Sequence, residues 1–136
     1  MKRTIICLCL SILFAGTTAI AQTNVSGIIT TNTTWTVANS PYIVTANILV
    51  NSGVALTIEP GVTVDFDASQ YLYIDGILIA DGTVDSNITF SSNLSSPNVG
   101  DWYGIKFRDS SVDSLCSLNY CIIEYSVDGI NCDAAS

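Results

Sequence analysis

The chain has 136 residues and carries twelve acidic side chains, four basic ones and no histidine. Two of the bases, Lys2 and Arg3, lie at the very start, so from residue 22 onward two bases stand against twelve acids and the formal charge is −10. A surface that acidic repels nucleic acid and anionic lipid, which excludes both as primary partners, and 115 residues suffice for one domain with one core.

Residues 1–21 read as a secretory leader. Lys2 and Arg3 form a basic start, Ile5 to Ala15 an apolar stretch too short to cross a bilayer comfortably, and Ala19-Ile20-Ala21 a small-residue cleavage site. The expected address is therefore secreted, extracellular or cell-surface, with no membrane insertion once the leader is removed. Cys7 and Cys9 would leave with it.

Residues 22–47 are less regular. They hold Trp35 and a Ser40-Pro41 break. This segment is expected to form an N-terminal cap and first strand region, with Trp35 over the end of the core, because a repeat stack needs its open strand edges covered. The Asn-x-Ser/Thr triplets at Asn24, Asn32, Asn87 and Asn93 are what chance gives in a chain so rich in these residues.

From residue 48 to 136 a repeat sets in. Ile48-Leu49-Val50 is a short strand ended by Asn51-Ser52-Gly53. Val54, Leu56 and Ile58 alternate with Ala55 and Thr57, the period of a strand with one face inward. Glu59-Pro60-Gly61 forces a corner. Val62, Val64 and Phe66 then point in, and Thr63, Asp65 and Asp67 point out. One coil later Leu72 and Ile74 alternate with Tyr71 and Tyr73, Asp75-Gly76 makes a corner, and Ile77 to Ala80 is a strand. Matching Ile88 and Phe90 to Val64 and Phe66 gives a repeat of 24 residues, the same offset that relates 48–50 to 72–74. Ser91 to Asp101 breaks the rhythm and is predicted to be a loop. Trp102 to Phe107 and Leu118 to Tyr125 supply a third coil, and Asp128-Gly129-Ile130 turns into another. About three coils is the least such a stack can live on. The missing polar cover after Ser136 suggests the front part of a longer protein, or an open end that self-associates.

The segments "LTIEPGVTVDF", "LYIDGILIADGT", "ITFSS", "WYGIKF" and "NYCIIEYSVDGI" resemble successive coils of secreted bacterial right-handed parallel β-helix proteins, the pectate-lyase-like superfamily. The resemblance covers nearly all of the chain beyond the leader. It implies an all-β fold: a right-handed parallel β-helix, or solenoid. It implies no single function, since the superfamily includes polysaccharide lyases, glycoside hydrolases and adhesins.

Lyases of that kind use an Arg or Lys base and acidic side chains holding Ca²⁺ on an outer sheet face. Lys106 and Arg108, two apart, would share an outward face if Ile105 and Phe107 point in, and Asp101, Asp109 and Asp113 lie close in sequence. The plainer reading is that two cations on an acidic surface pair with nearby carboxylates. Asp65 and Asp67 are candidates for a glycosidase pair or a Ca²⁺ contact, against the plainer reading of a solvated strand edge. Tyr71 and Tyr73, with Trp102 and Tyr103 after the loop, are candidates for sugar contact, against ordinary stacking along the solenoid. Cys116, Cys121 and Cys132 allow one disulfide in three pairings, or none if they are small core residues. The balance favours a non-catalytic scaffold for adhesion or contact with an extracellular polysaccharide. The alternative is a polysaccharide lyase or glycoside hydrolase.

Overall fold

The computed structural model describes residues 21–133. The leader, apart from Ala21, lies outside the described residues. The described residues form twelve strands: β1 (Thr23–Ile29), β2 (Thr33–Trp35), β3 (Tyr42–Val50), β4 (Ala55–Ile58), β5 (Thr63–Phe66), β6 (Tyr71–Ile74), β7 (Ile77–Asp81), β8 (Ile88–Ser92), β9 (Gly104–Phe107), β10 (Ser117–Asn119), β11 (Cys121–Ile123) and β12 (Ile130–Cys132). Two short 3₁₀ turns, Val37–Asn39 and Asp113–Leu115, sit between them. Every pairing between strands is parallel.

Three walls result. The first stacks the start of β3 on β5, then β8, then β11. The second stacks the end of β3 on β6, then β9, then β12. The long strand β3 passes through both and so joins them into one curled sheet. The third wall is a separate sheet of β2, β4, β7 and β10. The molecule is a parallel β-helix whose coils each give one strand to each wall.

The alternation read from the sequence sets the inside. Leu56, Val62, Val64, Phe66, Leu72, Ile74, Leu78, Ile88, Phe90 and Ile105 are fully buried in one continuous cluster. In parallel coils, like side chains stack in columns. Tyr42, Val64, Phe90 and Ile123 form one such column on the first wall, in register from coil to coil. Burying side chains this size contributes on the order of 1.5–3 kcal/mol each, and each coil gains most of it only when its neighbour is in place.

Residues 22–47, expected to form an N-terminal cap and first strand region, lay down β1 and β2, which pair in parallel with β3 and β4. Trp35 lies inside at that end, stacked on Tyr42 with ring centroids 4.8 Å apart. The partner of Phe90 is Val64, not Phe66, a slip of two residues from the 24-residue repeat. Finally, Ser91 and Ser92 belong to β8 and are buried, so the loop begins at Asn93. The buried hydroxyls explain their place: Ser91 donates to Glu124 Oε1 at 2.9 Å and Ser92 to Asp101 Oδ2 at 2.6 Å.

Candidate functional site

The second wall carries most of the side chains that could do chemistry. In β6, Leu72 and Ile74 turn into the core, which sends Tyr71 and Tyr73 outward. Asn47, one coil earlier, accepts the Tyr71 N–H through its Oδ1 at 2.8 Å and fixes the start of the strand. The two rings stack at 4.8 Å. Tyr103, from the next coil, stacks on Tyr71 at 4.6 Å. Gly104, which follows Tyr103, is the register partner of Tyr71 and has a φ of +141°, a conformation that favours glycine.

Both cations expected outward are outward, and both are ion-paired. Arg108 donates through Nε and Nη2 to the two oxygens of Asp75, each at 2.7 Å. Asp75 is only 9% exposed, so this is a planar two-bonded pair at the edge of the core. The Arg108 guanidinium also lies over the Tyr73 ring, 5.5 Å from its centroid. Lys106 Nζ meets Asp133 at 3.1 Å, which holds the ammonium proton more firmly than usual through the hydrogen bond and charge of that carboxylate.

Among the described residues, none of the carboxylates grouped with these bases by sequence proximity, Asp101, Asp109 and Asp113, forms an ion pair with them. Asp101 accepts from Ser92 and from the Asn98 backbone N–H. Asp113 accepts from Ser111. The partners are instead Asp75 and Asp133. Asp75 was legible only as a corner residue, because its link to Arg108 spans 33 positions and needs the register Ile74 with Phe107 to be known.

Trp102 is corrected outright. It is fully buried, stacked on Phe66 at 4.0 Å with the rings 6° from parallel, and its Nε1 donates to the Glu124 carbonyl at 2.9 Å. It belongs to the core and offers no surface to a ligand.

On the first wall, Asp65 and Asp67 do face outward from β5 and its end. Burial pushes the Asp65 carboxyl above its ordinary value, and the nearby Glu124 charge pushes it further. Asp67 accepts from Asn93 Nδ2 at 2.8 Å. Among the described residues no three His, Cys, Asp or Glu side chains gather as a metal group would. Two carboxylates fall well short of the roughly six to eight oxygens Ca²⁺ takes. Cys116, Cys121 and Cys132 are all free. Cys121 donates to the Ala80 carbonyl at 3.2 Å, and burial lifts its thiol to about 11.

A family model described as a pectate-lyase-like beta helix domain matches residues 27–112. The chain belongs to this family. The pectate-lyase-like match runs from the middle of β1 to just past β9 and so includes the tyrosine row and Arg108. Protein bark beetle of Drosophila melanogaster is 43% identical over 61 residues, which is 45% of this chain and 2% of that protein. The chain thus spans a very small part of that relative. No solved structure matches it.

Proposed function

We propose that this pectate-lyase-like β-helix is a secreted or surface-displayed scaffold without catalysis of its own, and that its tyrosine row contacts an extracellular glycan. The leader-like residues Lys2 to Ala21 support the address. The observation that carries the rest is the pairing of Arg108 with Asp75 beneath Tyr73. A lyase base must be free to take a proton from the sugar ring. A guanidinium held by two short hydrogen bonds is placed to support the rings instead. The row Tyr103, Tyr71, Tyr73 then offers rigid amphipathic side chains, which lose little entropy on binding a sugar.

The glycoside-hydrolase alternative has one observation in its favour. Asp65 has a raised carboxyl beside the charge of Glu124, and a proton donor with a second acidic group is the usual equipment of that reaction. A polysaccharide array with Ca²⁺ present, read for bound protein and for released reducing or unsaturated sugar, separates the readings. Binding without product is expected. Product that disappears in Asp65→Asn would replace the scaffold with a hydrolase, and unsaturated product would replace it with a lyase. Silence in both channels would remove the glycan from the proposal.

A further inference from the structure

We infer that the tyrosine row takes a neutral polysaccharide strand, meeting its apolar sugar face at Tyr103, and discriminates against uronate chains. This deepens the glycan-contact reading and rests on it.

The geometry singles out Tyr103. Stacked rings spend their faces on one another. Tyr71 has ring neighbours at 4.6 and 4.8 Å, and Tyr73 has Tyr71 stacked on it and the Arg108 guanidinium over it. Tyr103 is 37% exposed, and Tyr71 and Tyr73 are half-buried. A pyranose can stack there, while Tyr71 and Tyr73 present edges and hydroxyls along the row. Sugar–ring stacking of this kind needs an apolar C–H face and no charge.

The charges argue against an acidic chain. Both bases beyond the leader lie beside the row, and each is already satisfied, Arg108 by Asp75 and Lys106 by Asp133. A uronate would have to break one of those pairs to gain a partner. It would also approach Asp128, whose charge reaches Tyr71, and a molecule of net charge −10 beyond the leader. A neutral sugar meets none of these costs, and the Tyr71 hydroxyl can donate to it.

The test is native affinity electrophoresis of the full chain in gels containing hydroxyethylcellulose, a neutral glucan, or polygalacturonate, at low and high salt and with and without Ca²⁺. The expected result is retardation by the neutral polymer that persists at high salt. Tyr103→Ala should weaken it by about tenfold and Tyr103→Trp should preserve it. Stronger retardation by polygalacturonate under any of these conditions, or loss of the neutral signal in salt, would overturn the inference while leaving glycan contact standing. Unchanged retardation in Tyr103→Ala would also overturn it, because the polymer would then sit elsewhere. Failure of both polymers to bind would take down the glycan-contact reading itself.

Discussion

Asp65 is where a single side chain works against the fold. Its carboxyl is half-withdrawn from water on an outward face and feels Glu124, so folding raises its affinity for a proton above the ordinary value of 3.8. The protonated form is therefore the one the fold stabilises. That contribution is complete below the unfolded value and is lost as pH rises through the raised folded value. At neutral pH the ionised group is a net cost, and no hydrogen bond pins it in place among the described residues. Asp65→Asn should accordingly raise the urea midpoint at neutral pH, and the gain should shrink as the pH is taken below 3.8. A midpoint that falls in the variant at neutral pH would show that the charge is bound by something that favours it. Arg108 illustrates the opposite case, a charge whose partner, Asp75, is nearly enclosed. Both residues were legible as outward from simple alternation. Their partners were not, because Asp75 lies one coil from Arg108 and Glu124 two coils from Asp65, and the coil length varies.

At the scale of elements, Trp102 is the joint between two coils. It arrives from the loop after β8, turns inward just before β9 and lies flat on Phe66 of β5. Gly104 follows as an extra residue in the alternation. Trp102 points in, Tyr103 out and Ile105 in again, so one position must be absorbed. A β-carbon at Gly104 would come 2.8 Å from the Gly129 carbonyl oxygen, and its φ of +141° is closed to other residues. Trp102→Ala should cost about 3–5 kcal/mol in chemical denaturation. A loss under about 1 kcal/mol would mean the coils close up without the ring. The sequence revealed the strands here better than their register. The 24-residue offset holds for Ile48 with Leu72 but becomes 26 for Val64 with Phe90 and 33 for Leu72 with Ile105. The added residues sit in the Gly82–Asn87 corner and the loop after β8. A slip of two leaves every face unchanged, so the buried list survived while the pairing did not. Trp102 escapes the sequence for a related reason: a ring after a polar loop looks like surface unless the loop is known to return over the core, where it covers Phe66.

Across the whole molecule, stability is a chain of nearest-neighbour contacts wrapped in like charge. Each coil rests on the one before it through parallel ladders and columns such as Tyr42, Val64 and Phe90, and few contacts reach further. Against this works an envelope with ten more acids than bases beyond the leader. Two of the acids are neutralised by Arg108 and Lys106; the others face water or hydrogen-bond to uncharged neighbours. Compact coils bring these charges closer than an unfolded chain would, so their mutual repulsion is a term that salt removes from the folded state more than from the unfolded one. The Lys106 and Arg108 pairs weaken in the same salt, yet among the described residues there are only two and both are partly exposed, which limits their share. Repulsion should win. Raising sodium chloride from low to near-molar concentration should lift the melting temperature by about 2–5 °C in calorimetry, with chloride chosen to avoid the general stabilisation that sulfate gives. A melting temperature that falls with sodium chloride would mean that the ion pairs on the second wall outweigh the envelope, and that the Arg108–Asp75 pair is a principal brace of the coil stack.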